Sequence, residues 1–224
     1  MKDKNSVLQR PRLLTLLILA LLPFTAITQA GEDGDWITLF DGTSLDGWKS
    51  NDEKPGVFSV VEGVLKVDGG RAHLFYVGDD SQSPPQFQDF VLQARVKTTP
   101  GSNSGIFFHT AFQEEGWPKQ GFEAQVNSTH GDRRKTGSIY GAQDVRDDAP
   151  SVDDQWFDYE IRVEGKTITT KVNGQTTAQW TQPKDWTPPA NMPARKIGSG
   201  TFAIQGHDPK SVVYFDDIRV KRLE

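Results

Sequence analysis

The sequence predicts an all-β fold, a sandwich or jelly roll, on three observations. Apolar and polar residues alternate with a period of two through much of the chain after residue 30. Glycine and proline, 21 and 13 in number, interrupt every stretch that would otherwise hold three turns of amphipathic helix. Turn signals recur between short runs rich in β-branched and aromatic residues.

The first element in chain order is not a strand. Lys2, Lys4, Arg10 and Arg12 form a basic leader, residues 13–22 are apolar, and Pro23 breaks the run before Thr28-Gln29-Ala30. A charged head, a short apolar middle and small residues at a cut site describe a secretory signal peptide over 1–30, cleaved after Ala30. Even when extended to Ile27, the run is shorter than the roughly 20 residues of a spanning helix, so no stable membrane insertion is expected. Residues 31–224 then form one exported domain, periplasmic or extracellular, long enough to bury a sizeable core.

Short strands fit residues 36–40, 57–60, 64–67 and 73–76. Phe90, Leu92, Ala94 and Val96 alternate with Val91, Gln93, Arg95 and Lys97, and Tyr159, Ile161 and Val163 alternate with charged neighbours. Both patterns give a strand with one buried and one wet face. Further strands fit 104–110, 121–127 and 136–140. The β-branched run 167–172 ends in Asn173-Gly174, a strong two-residue hairpin signal. Residues 197–205 and 212–220 read as a final pair across the turn Gly206-His207-Asp208-Pro209. The proline pairs at 84–85 and 188–189 sit in loops, because strand pattern resumes on either side.

Composition narrows the function. There are no cysteines, so disulfides, thiolate catalysis and thiolate metal sites are excluded. The chain carries a net charge of −5 and its first thirty residues a net +3, leaving the rest near −8. An acidic domain is a poor partner for nucleic acid or anionic lipid, whereas neutral ligands such as sugars stay open.

The densest polar cluster is Gly101-Ser-Asn-Ser-Gly105-Ile-Phe-Phe-His109, followed by Gly121-Phe-Glu-Ala-Gln-Val-Asn127. In the second piece Phe122, Ala124 and Val126 share one face, and Glu123, Gln125 and Asn127 the other. Such a row is most often a solvated outer face; on the concave side of a curved sandwich it makes a sugar groove. His73, His109, His130 and His207 show no helical zinc spacing. His109 follows Ile106-Phe107-Phe108 in an expected strand, so it is a candidate to point into the same groove as Glu123, and an acid beside an imidazole is a workable acid/base pair near neutral pH. The tryptophans suit either sugar stacking or core packing.

Ordered motifs along the chain resemble one family. They are Trp36-Ile-Thr-Leu-Phe-Asp-Gly-Thr-Ser-Leu-Asp-Gly-Trp48, Asn103-Ser-Gly-Ile106, Gly121-Phe-Glu-Ala-Gln-Val126 and Thr136-Gly-Ser-Ile-Tyr140. The tail adds Gly200-Thr-Phe-Ala-Ile-Gln205, His207 and Val213-Tyr-Phe-Asp-Asp-Ile-Arg-Val220. Together they resemble the 3-keto-disaccharide hydrolase domain family. The resemblance implies a concanavalin-A-like jelly roll of two antiparallel sheets, and action on glycosides whose sugar is a ketone at C3. It departs at His109, where many members carry an arginine-type residue.

β-Glucanases of the same fold carry three acids at alternate positions of one strand, but here only Glu123 of the row is an acid. A retaining glycosidase needs two carboxylates, so ordinary retaining hydrolysis at this row is disfavoured. A 3-keto sugar needs instead one base for the acidic C2 hydrogen, one acid for the leaving oxygen and donors for the enolate. On that basis Glu123, His207 and His109 are the catalytic candidates, with Asn103, Gln125, Lys135 and Tyr140 as substrate ligands. The alternative is a non-catalytic, lectin-like sugar-binding module, and a third option is a structural domain with a vestigial groove. No cofactor is assigned. Sandwiches of this class often carry structural Ca²⁺, so a divalent metal stays open without identified ligands.

Overall fold

The computed structural model describes residues 35–224 except 52 and 191; the leader read at 1–30 lies outside the described residues. Among the described residues there are thirteen strands: β1 Ile37–Phe40, β2 Trp48–Ser50, β3 Phe58–Val61, β4 Val64–Asp68, β5 Ala72–Tyr76, β6 Phe90–Thr98, β7 Ser104–Thr110, β8 Phe122–Val126, β9 Phe157–Glu164, β10 Thr167–Val172, β11 Gln175–Thr181, β12 Thr201–Gly206 and β13 Val212–Arg222. Among the described residues no helix is long and apolar enough to cross a membrane.

The strands form two antiparallel sheets. The larger runs β11-β10-β9-β6-β13-β4-β3, with β1 also on β13; the smaller runs β2-β5-β12-β7-β8. Apolar residues at alternate positions supply the core from both sides. Phe90, Leu92, Val96, Ile161, Val163 and Phe215 come from the large sheet, and Ile106, Phe108, Phe122, Ala124, Phe202 and Ile204 from the small one. Each fully buried phenylalanine contributes about 1.5–3 kcal/mol relative to exposure. The chain is therefore an all-β jelly-roll sandwich. The hairpin expected at Asn173-Gly174 forms: both residues have positive φ (49° and 76°), and Val172 pairs with Gln175 across them.

Two expectations are corrected. Residues 197–205 and 212–220 do not pair. β12 lies between β5 and β7 in the small sheet, while β13 pairs β4 and β6 in the large one. Residues 207–211 are an arch from one sheet to the other, and an arch needs the same turn residues as a hairpin. Residues 136–140 are a looped excursion with isolated bridges rather than a strand. Gly137 sits at φ 88°, and a Cβ there would lie 2.3 Å from the Thr177 hydroxyl, so the chain folds back at that point.

β8 is buried on both faces. Its apolar side chains enter the core, and its polar face is covered by segments that carry Trp117, Asp132, Tyr140, Met192 and Arg195. Tyr159 of the large sheet couples the two layers. Its hydroxyl donates to the Gln125 carbonyl (3.0 Å) and accepts the Gly137 N–H (3.2 Å), which ties the core to the floor of a cavity.

Candidate active site

The cavity measures about 170 Å³ and lies on the face of the small sheet turned away from the core. Its wall includes Asn103, Phe107, Glu123, Gln125, Gln205 and His207, with the covering residues named above. The solvated face expected by default for the Glu123–Gln125–Asn127 row is thus overturned: these residues are 6 %, 1 % and 0 % exposed.

Glu123 is the central acid. Its Oε1 accepts an N–H from Gln205 of β12 at 2.8 Å. Burial pushes the carboxyl up from 4.5 to about 7, against the opposing pull of the Gln205 bond and of the Arg195 charge. The carboxylate occupies the space left by a missing side chain: a Cβ on Gly105 would sit 2.4 Å from Oε1. Gly105 is not at positive φ, so an alanine there meets steric displacement without backbone strain. We expect Gly105→Ala to lower turnover about 100-fold by misplacing the carboxyl, with about 1–3 kcal/mol lost in stability. Steady-state kinetics and thermal unfolding check this, and full retained turnover would show that Glu123 tolerates displacement.

His207 begins the arch after β12. Its Nδ1–H donates to Asp208 Oδ2 at 3.0 Å, which leaves the Nε2 lone pair of the neutral ring free. Asp208 also accepts the Ser211 hydroxyl at 2.5 Å and the Lys210 N–H at 3.0 Å. These bonds hold its carboxyl below the usual value although burial opposes them. Asp208 therefore stays anionic and fixes the tautomer of His207.

The substrate candidates divide. Asn103, Gln125 and Tyr140 line the cavity. Gln125 donates to Asn103 at 2.7 Å, and Asn103 donates to His130 Nδ1 at 3.3 Å. Tyr140 accepts from Arg134 at 3.3 Å, with that guanidinium 4.3 Å from its ring centre. Lys135 does not reach the cavity. Its Nζ donates to the His130 carbonyl at 2.7 Å and contacts Asn127 Oδ1 at 3.5 Å, so its charge braces the loop that carries His130 and Asp132. Asn127 serves the same loop by donating to the Asp132 and Arg134 carbonyls.

His109 is also corrected. It sits at φ 54° and packs edge-on against Phe90 and Phe108. Its Nε2 bonds the Gln88 carbonyl at 2.7 Å, and the Gly198 N–H approaches Nδ1 at 3.4 Å. The positive φ turns the side chain away from the face that bears Glu123, and burial keeps the ring neutral by lowering its pKa.

Three wall residues gave no site signal in the sequence. Arg195 is 3 % exposed, donates to the Tyr140 carbonyl, and leaves its Nε without a partner. Asp132 is a second carboxylate at the wall, whose Oδ1 accepts the Arg134 N–H at 2.8 Å. Met192 is the third. All lie in loops, where no periodicity marks them.

One cluster among the described residues has metal-ligating groups: His130, His207 and Asp208, with ligand atoms within 4.8 Å of one another. Two imidazoles and a carboxylate are a transition-metal donor set, not the all-oxygen shell of Ca²⁺. His130 Nδ1 accepts the Asp132 N–H at 3.1 Å, so the proton of the neutral ring resides on Nε2, which faces Asp208 at 3.8 Å. Within the cluster only His207 and Asp208 are hydrogen-bonded; His130 stands 3.8 Å from Asp208, and the three together are the residues that would hold a divalent transition metal. A larger depression of about 270 Å³, lined by Gln93, Glu160, Lys171 and Arg219, lies on the outer face of the large sheet. Its polar groups are committed to one another, with Lys171–Glu160 at 2.8 Å and Gln93–Glu160 at 3.0 Å.

Comparisons with known proteins agree with this architecture. A segment of 77 residues is 32 % identical to a 3-keto-disaccharide hydrolase of Bacteroides thetaiotaomicron; it covers 33 % of this chain and 27 % of that protein. A protein of Parabacteroides distasonis provisionally assigned as a glycosyl hydrolase superposes with TM-score 0.71 at 20 % identity, over 85 % of this chain and 94 % of its own. A non-specific endo-beta-1,3(4)-glucanase superposes with TM-score 0.55 at 12 % identity, over 85 % and 88 % of the two chains. These two structural likenesses carry the fold alone. The model of the 3-keto-alpha-glucoside-1,2-lyase-like domain matches residues 35–221, nearly all of the described region, and the chain belongs to that family.

Proposed function

We propose that the protein cleaves 3-keto-disaccharides and related 3-keto-glycosides by elimination across C2 and C1, with water added back to complete hydrolysis. The observation that carries this reading is the pairing, at one cavity, of a buried carboxyl raised to about 7 with an imidazole oriented by a carboxylate. His207 Nε2 takes the C2 proton, made acidic by the neighbouring ketone. Electrons from the C2–H bond form the enolate, and their return forms a C1=C2 double bond as the C1–O bond breaks. Glu123, largely protonated below pH 7, gives its proton to the leaving oxygen. Arg195, with its unpartnered Nε, and Tyr140 stand as donors to the enolate oxygen. The amides of Asn103 and Gln125 suit the remaining sugar hydroxyls. The family description and the name of the Bacteroides relative support the substrate class.

The test is turnover by the purified protein of 3-keto-trehalose beside unmodified trehalose, with and without chelator. Product from the keto sugar alone is expected; loss of turnover on chelation would assign a metal to the His130–His207–Asp208 cluster, and unchanged turnover would leave the acid/base pair to act alone. Asp132 favours a second reading, since two carboxylates at one cavity are the equipment of an ordinary glycosidase. Equal cleavage of the unmodified sugar would select it. Binding without turnover would select the lectin-like module.

A further inference from the structure

The cavity has a feature that the acid/base chemistry does not use. Trp117 lines its wall and yet is 41 % exposed. A single exposed aromatic is ordinary on a protein surface; Trp117 is set apart because it borders a cavity whose Asn103, Phe107, Glu123, Gln125 and Gln205 are buried, so its open face is one a ligand in that cavity would meet. The ring is held in place from several sides. It meets His207 at 5.4 Å between ring centres, tilted by 43°, and His73 edge-on at 5.5 Å. The Arg71 guanidinium lies 5.8 Å from its centre.

The loop beneath it is pinned. The Gln113 side-chain amide donates to the carbonyls of Glu115, Gly116 and Trp117 at 2.6, 3.2 and 3.0 Å, and its oxygen accepts the Lys119 N–H at 3.1 Å. Glu53 accepts the Gly116 N–H and pairs with Arg71 at 2.7 Å. His73 gains an explanation here. It is fully buried between Phe107 and Trp117, and neither ring nitrogen has a partner. Burial lowers its pKa to about 4, so it stays an uncharged aromatic prop at neutral pH.

Cavity size sets what the platform meets. About 170 Å³ is below the roughly 300–1,000 Å³ of pockets that enclose drug-sized ligands. It has room for one pyranose ring among the amides and Glu123, and a second ring attached at C1 must leave through the mouth.

We propose that Trp117 is a leaving-group subsite, an aromatic platform on which the second pyranose ring of a disaccharide stacks while the keto ring occupies the cavity. This rests on the substrate class proposed above. The site then takes the terminal residue of a glycoside and prefers a ring-shaped leaving group over a small one.

The test compares 3-keto-trehalose with methyl 3-keto-α-glucoside, which lacks the second ring. The ratio of their kcat/KM values is read in the wild type, Trp117→Ala and Trp117→Phe. A ratio is independent of the folded fraction, so partial misfolding of a variant does not obscure it. We expect Trp117→Ala to lower the ratio roughly tenfold, the scale of a lost apolar contact, and Trp117→Phe to restore most of it. An unchanged ratio overturns the platform even when both substrates are cleaved. If neither substrate turns over in the wild type, the catalytic reading fails by itself. Calorimetric affinities for the same two sugars then give the ratio, with the same two outcomes for the platform.

Discussion

Replacing Glu123 with glutamine is expected to abolish keto-glycoside cleavage and, at the same time, to stabilise the fold above neutral pH. The amide keeps the shape of the side chain over Gly105 but has no proton to give the leaving oxygen, so a rate loss of about 10²–10⁴ is expected. The stability effect follows from linkage. Burial raises this carboxyl from 4.5 to about 7 in the folded state. Between those values the native protein holds a proton that the unfolded chain has released, so stability is fully present below 4.5 and is lost as pH rises through 7. A shift of this size corresponds to about 3 kcal/mol. The variant escapes that loss. It should match the wild type near pH 4 and exceed it by about 3 kcal/mol at pH 8 in urea unfolding. A difference independent of pH would mean that Glu123 is ionised in the native state, and its role as proton donor would fall. Wild-type turnover should decline above pH 7 for the same reason.

The second large effect is expected at the imidazole. His207→Ala removes the base, and kcat should fall about 10²–10⁴-fold with the sandwich intact. Asp208→Asn tests the orientation of the ring separately. Asp208 touches no substrate in this scheme; it positions His207 through the 3.0 Å bond to Nδ1. An amide there can present N–H to Nδ1, which favours the tautomer with its proton on Nε2 and so blocks the base. The expected signature is a kcat about 100-fold lower with KM little changed. If Asp208→Asn instead raises KM at constant kcat, the carboxylate binds substrate and is not a positioning group. Retained cleavage in both His207→Ala and Glu123→Gln would sink the assignment of acid and base altogether.

Much of this was legible in the sequence for local reasons. Strand existence follows from period-two alternation at 90–97 and 158–164, and the hairpin from Asn173-Gly174, because each signal lies within a few residues of its effect. The polar row on β8 was legible as a row. That it is buried was not, because the segments covering it come from residues 117, 132–140 and 192–195. His109 misled because alternation in β7 assumes a regular strand, and its positive φ breaks the alternation there. Lys135 misled because a cation next to the Thr136-Gly-Ser-Ile-Tyr140 motif reads as a ligand for sugar oxygens, whereas its Nζ is spent on the His130 carbonyl.

The sequence by itself determined the strand nature of the longer alternating segments, the tight turn at Asn173-Gly174 and which side chains of 90–97, 122–126 and 158–164 share a face. Covalent geometry and steric preference act on near neighbours and need no partner to operate. Only the tertiary structure decided that 207–211 crosses between sheets, setting His207 at the edge of the cavity with Asp208 bonded behind it. It alone decided that Gln205, 82 residues away in the chain, bonds Glu123, that Gly105 makes room for the carboxyl, and that Arg195 lies beside it. The altered acidity of Glu123 comes from the removal of water by distant segments, and burial of that kind is a property of the packed sandwich, not of any stretch of chain.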